Sequence, residues 1–87
     1  MKEIFQEILS ILKQNKPCVL CTVVHTKGST PQKAGAKLLI REDGSSMGTL
    51  GGGCVEGDMW HLGTQLLKEK GKPIFREYRP NEEMAAL

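Results

Sequence analysis

The chain has 87 residues, 39% of them hydrophobic and 25% charged, with a formal net charge of +2, the make-up of one small globular domain. So small a charge is no electrostatic footprint for nucleic acid, and no run approaches the roughly 20 apolar residues that span a bilayer. Three cysteines, an odd number in so short a chain, argue against a disulfide framework and, with no signal-like h-region in Met1–Lys16, predict a reducing, cytoplasmic setting.

Ile4, Phe5, Ile8, Leu9, Ile11 and Leu12 recur at helical spacing against Glu3, Gln6, Glu7 and Lys13. They predict an amphipathic helix from Lys2 to about Asn15, stopped by Asn15 and Pro17. Cys18–Thr26 is β-branched and almost continuously apolar, so it predicts a central strand buried on both faces. Lys27–Ala36, rich in Gly, Ser, Thr and Pro, is a loop by composition. Lys37–Arg41 and Ser46–Leu50 flank Glu42-Asp43-Gly44-Ser45, a hairpin signal. Val55, Met59, Leu62, Leu66 and Leu67 mark a second helix that ends through Lys68 and Lys70 at Gly71. Pro73–Arg79 alternates as a last strand, and residues 80–87 form a flexible tail. The predicted class is α+β, in the order α-β-β-β-α-β, with two helices packed on one mixed sheet. A domain of this size hides only about 60–65% of its unfolded surface, which leaves apolar area for a partner or a second copy.

Gly51-Gly52-Gly53-Cys54-Val55-Glu56 carries the strongest chemical signal. Three glycines let backbone N–H groups approach a ligand, and Cys54 falls at a helix start, where a thiolate is stabilised. Glu56 either caps N–H groups or touches the ligand. Gly28-Ser29-Thr30-Pro31 is a second glycine-rich turn, with Lys27 and Lys33 beside it, able to hold a phosphate. Both loops follow strands, but spacing alone leaves open whether their ends meet. No acidic residue occurs between Glu7 and Glu42, while Lys13, Lys16, Lys27, Lys33, Lys37 and Arg41 do. They read as solvated lysines individually, or together as a positive rim for a phosphorylated small molecule.

Cys18 and Cys21 form a CxxC, yet on a strand residues i and i+3 point to opposite faces, so both read as small buried hydrophobes. Glu56 stands where a dinucleotide fingerprint needs its third glycine, and no P-loop pattern is present. Neither His25 nor His61 has an acidic partner at an informative spacing.

The pattern Thr26-x-Gly28-Ser29-x-Pro31-x-x-x-Gly35-Ala36 followed by Gly48-x-x-x-Gly52-Gly53-Cys54-Val55-Glu56 resembles the N-terminal domain of the XdhC/CoxI family, over about Cys18–Tyr78. The paired motifs at their separation are far more specific than either alone. The resemblance implies an accessory protein that binds the molybdenum cofactor (molybdopterin), protects it during sulfuration and delivers it to a xanthine dehydrogenase-type apoenzyme. It is thus a chaperone rather than an enzyme. The cofactor-binding positions it implies, with the loop reading, are Gly28, Ser29, Thr30, Pro31, Lys33, Gly35, Gly51, Gly52, Gly53, Cys54 and Glu56, with Cys54 a ligand for molybdenum. A thiolate suits that soft metal, and glycine amides with lysines suit the pterin's phosphate.

Family members often carry Arg after the proline, where this chain has Gln32 and Lys33, a weaker bidentate phosphate grip. Many members continue into a Rossmann-like C-terminal domain, whereas residues 1–87 read as the first domain alone. One alternative makes Cys54 a sulfur carrier or maturation enzyme's nucleophile, served by a cysteine desulfurase. Another makes the chain an assembly module, a homodimer without its own ligand. No nucleic acid and no membrane span are expected.

Overall fold

The computed structural model describes residues 2–24, 34–72 and 74. Helix α1 (Lys2–Lys13) is followed by strands β1 (Cys18–Thr22), β2 (Lys37–Arg41) and β3 (Ser46–Thr49), then helix α2 (Gly53–Glu69). Ile4 and Ile11 bury themselves against Leu39, with Ile8, Cys18 and Met47 around them. Burying one such side chain contributes about 1.5–3 kcal/mol, which is what holds this short helix on the sheet. Phe5, Leu9 and Leu12, one position further round the helix, stay exposed. α1 ends in a Schellman turn around Asn15 (φ 58°), where Lys16 N–H donates to Ile11 O at 3.2 Å and Asn15 N–H to Leu12 O at 3.0 Å.

The sheet order is β1-β2-β3, and both pairings are antiparallel. The parallel partner that a mixed sheet needs is not among the described residues. The strand expected over Pro73–Arg79, apart from Ile74, and the 80–87 tail also lie outside them. The two-faced burial expected of the first strand belongs to β2, whose Leu38, Leu39 and Ile40 are at most 1% exposed. Among the described residues β1 pairs on one side only. Regular pairing there ends at Thr22, and Leu20 and Val24 remain exposed.

The opposite face of the sheet carries α2. Cys21, Leu38, Ile40 and Leu50 form its core, with Val19, Met59 and Leu67 packed against them. Gly63 makes this approach possible: a Cβ there would stand 2.4 Å from Ile40 Cδ1. The two cysteines of the CxxC fall in the two different core clusters. Burial pushes both thiols above their ordinary value.

The predicted hairpin is present. Asp43 Oδ1 accepts hydrogen bonds from Ser45 N–H at 2.9 Å and Ser45 Oγ–H at 2.6 Å. The end of α2 is displaced by one residue from the expected glycine stop. Lys70 takes the left-handed position (φ 53°) and its N–H bonds Leu66 O. Gly71 instead lies so close to Leu66 that a Cβ would come 2.8 Å from its Cδ2.

Candidate functional site

Register decides where the glycine-rich loops go. Thr22 pairs with Lys37, and Lys37 pairs with Thr49. The segment between β1 and β2 and the segment between β3 and α2 therefore leave the same end of the sheet. The Glu42–Ser45 turn lies at the other end. Val23 N–H donates to Ala36 O at 3.0 Å and Gly35 N–H to Val23 O at 2.6 Å, so Gly35 closes the base of the first loop. Gly28, Ser29, Thr30, Pro31 and Lys33, with Lys27 and His25, lie outside the described residues.

Gly51, Gly52 and Gly53 have φ of 110°, 79° and 73°. Gly52, at ψ −167°, occupies a region open essentially to glycine alone. A Cβ on Gly52 or Gly53 would meet nothing within 4 Å. Gly52 and Gly53 thus serve the backbone path of an open turn, not close packing against the described residues.

Glu56 organises that turn from the first turns of α2. Its Oε1 accepts from Thr49 Oγ–H at 2.5 Å, Leu50 N–H at 2.7 Å and Gly52 N–H at 3.1 Å. Thr49 Oγ1 in turn accepts from Gly51 N–H at 3.0 Å. These bonds, the Thr49 hydroxyl first, hold the carboxyl below its ordinary value. The amides of Gly51 and Gly52 are consequently engaged inside the protein. Those of Gly53, Cys54 and Val55 open the first turn of α2 with no side-chain cap from Gly52, leaving that end partly positive. Val55 is buried and anchors the turn, whereas Cys54 is exposed.

Beside the turn, α2, β2 and β3 border an open surface cleft of about 330 Å³ lined by Leu38, Ser46, Gly53, Glu56, Gly57 and Trp60. Trp60 Nε1–H donates to Gly44 O at 2.9 Å, fixing the indole at the far end. Cys54 is not in its lining. Arg41 does not join a rim at this end: it pairs with Glu7 at 2.8 Å beside the hairpin turn. No group of three or more His, Cys, Asp or Glu among the described residues is placed to hold a metal ion. No helix among them is long and apolar enough to cross a membrane.

The turn, Cys54 and Glu56 are legible in the sequence, whereas the parts played by Leu38, Ser46, Thr49, Gly57 and Trp60 are not. Gly53, Gly57 and Trp60, spaced by four and three, fall on one stripe of a helix, and that spacing is the one sequence signal for part of the cleft.

A family model, the XdhC and CoxI family, matches residues 11–79, which include the turn, the cleft and both loops. The chain belongs to the XdhC and CoxI family. It is 39% identical over 72 residues to the uncharacterized protein YqeB of Escherichia coli K12, covering 83% of this chain and 13% of that protein. It is 41% identical over 61 residues to a probable xanthine dehydrogenase subunit of Bacillus subtilis 168, covering 66% of the chain and 18% of that protein. The molybdenum cofactor insertion chaperone PaoD of E. coli K12 is 36% identical over 55 residues, 63% of the chain and 17% of PaoD. This XdhC and CoxI chain therefore spans less than a fifth of the length of each of these relatives. No solved structure matches it with significance.

Proposed function

We propose that this chain is the cofactor-handling domain of an accessory protein that binds the molybdenum cofactor and assists its sulfuration and insertion into a xanthine dehydrogenase-type apoenzyme in the cytoplasm. The reading rests on family membership and on the names of two relatives, one a molybdenum cofactor insertion chaperone. The observation that carries it is the open glycine turn with exposed Cys54 beside the uncapped amides of Gly53, Cys54 and Val55.

These residues fit the group. Bound cofactor supplies a sulfur-rich molybdenum centre and a phosphorylated pterin. The thiol of Cys54 is a soft ligand for such a metal, and the first-turn amides suit an anion. Glu56 and Thr49 position the turn. Gly51, Gly52 and Gly53 give it its path. Gly35 closes the base of the loop that leaves the same end of the sheet, and Gly28, Ser29, Thr30, Pro31 and Lys33 are assigned to the site by the family resemblance of their motif. The chain binds and delivers rather than catalyses.

The test is retention of cofactor by chain isolated from a molybdate-supplied host, read as bound molybdenum and pterin fluorescence. Cys54→Ser is expected to lose retention and keep its fold. Full retention by that variant removes Cys54 from the site.

Two further readings each have an observation behind them. Cys54 is exposed while Cys21 is buried and Cys18 half-buried, as a sulfur carrier loaded by a cysteine desulfurase requires; alkylation of Cys54 no faster than a free thiol counts against that role. Phe5, Leu9 and Leu12 form an exposed apolar stripe on α1, as a homodimer or apoenzyme contact requires. Sedimentation of a monomer that is unchanged by Leu9→Lys removes the dimer.

A further inference from the structure

Nothing among the described residues calls for glycine at position 57. Gly57 sits in the interior of α2 with ordinary helical backbone, where glycine is the poorest residue but proline. A Cβ built on it meets nothing within 4 Å, in contrast to Gly63, whose Cβ would strike Ile40. So neither backbone path nor internal packing calls for glycine at 57. What Gly57 does is line the cleft. A methyl there enters space that the described residues leave empty.

The rest of the lining specifies what that space accepts. Trp60 is 40% exposed, yet its ring is held by the hydrogen bond from Nε1 to Gly44 O. Half-exposed and immobilised, it offers a face for stacking a planar ring. Leu38 gives the cleft an apolar floor and Ser46 a hydroxyl on the β3 side. Among the described residues, Glu56 is the one charged side chain in the lining. Its three hydrogen bonds all fall on Oε1, and the described residues give Oε2 no donor. A carboxylate oxygen so placed accepts N–H groups and repels anions. The ring that suits these walls is flat, aromatic and edged with N–H donors.

We infer that the cleft between α2 and β3 binds an aminopyrimidinone ring, the 2-amino-4-oxo edge shared by pterins and guanine, stacked on Trp60 and donating to Glu56, with Gly57 left bare to admit it. The inference rests on the cofactor-binding reading and extends it. It assigns the ring end of the ligand to the cleft, and leaves the anionic end to the adjoining turn. Gly57 and Trp60 become specificity-determining residues that no motif of the glycine turn contains.

Trp60 is the single tryptophan of the chain, so its fluorescence reports the cleft directly. The experiment titrates the full chain with neopterin, guanosine and adenosine, none of which carries a phosphate, and follows Trp60 quenching corrected for absorbance. Saturable quenching by neopterin or guanosine, at least tenfold tighter than by adenosine, is expected. Whichever of the two binds tighter identifies the source of the ring. Gly57→Ala is expected to weaken that binding at least tenfold while raising Tm, a combination that damage to the fold does not produce. Equal quenching by all three compounds, or no saturable quenching, overturns the inference; so does unchanged affinity in Gly57→Ala. If the probes fail while the chain still co-purifies with molybdenum and pterin, the cleft assignment falls and the proposed function stands. If they bind while no cofactor is retained, the reverse holds.

Discussion

Glu56 makes the sharpest stability prediction, because one oxygen atom holds together the whole turn. Oε1 accepts from the Thr49 hydroxyl and from the amides of Leu50 and Gly52. A hydrogen bond to a charged acceptor contributes about 1.5–3 kcal/mol when sheltered, but solvent screening at the surface reduces the three to about 2 kcal/mol together. Glu56→Ala removes all of it, and a domain of this size then loses roughly 8–16 °C of Tm. Glu56→Gln keeps an acceptor oxygen and loses only the charge, so it is expected to fall about halfway. The charge also fixes the pH dependence. The folded-state carboxyl lies below its ordinary 4.5, so its contribution is complete above about pH 4.5 and is lost as pH falls through the folded value. Urea denaturation of wild type and Glu56→Gln, run between pH 7 and pH 3, is the assay. Asp43 and Glu3, also held low, are present in both proteins and cancel in the difference. The gap is expected to close on acidification. A gap that stays constant across that range, or no gap at pH 7, refutes the latch.

The same substitution at two glycines of α2 is expected to have opposite signs. Gly57→Ala stabilises by about 0.5–1 kcal/mol through helix propensity, whereas Gly63→Ala destabilises by about 1–3 kcal/mol by overpacking Ile40; thermal denaturation of the pair checks it. Gly52→Ala has room for its methyl and is expected to cost about 1–3 kcal/mol through backbone strain alone, read as a shifted urea midpoint with unchanged slope. Thiol labelling of the native chain is expected to modify Cys54 first and Cys21 only on unfolding, since Cys21 is 5% exposed and burial raises its thiol; early labelling of Cys21 contradicts its place in the core.

Much of the fold was legible along the chain. Ile4, Ile8 and Ile11 announce α1, Asp43-Gly44 announces the hairpin, and Val55 through Leu67 announces α2, because each signal is local in period or turn chemistry. Opposite faces for Cys18 and Cys21 also followed from strand geometry alone. The first strand was harder. Its apolar run reads as central, yet β2 takes that place, and pairing partners are not written in a strand's own composition. Lys70 rather than Gly71 turns the end of α2, and the N–H groups of both residues bond the Leu66 carbonyl.

For the site, residue order by itself determined the parts: a glycine turn, a thiol at a helix start and a nearby carboxylate. These are consequences of missing side chains, helix ends and charge, which act over a few residues. Only tertiary structure decided that both glycine-rich loops leave one end of the sheet, since that depends on Thr22, Lys37 and Thr49 sharing a register row. It also decided that Glu56 turns inward on Gly52, and that Trp60 meets the Gly44 carbonyl 16 residues away at the edge of an open cleft. Those contacts join segments whose separation along the chain carries no information about their distance in space.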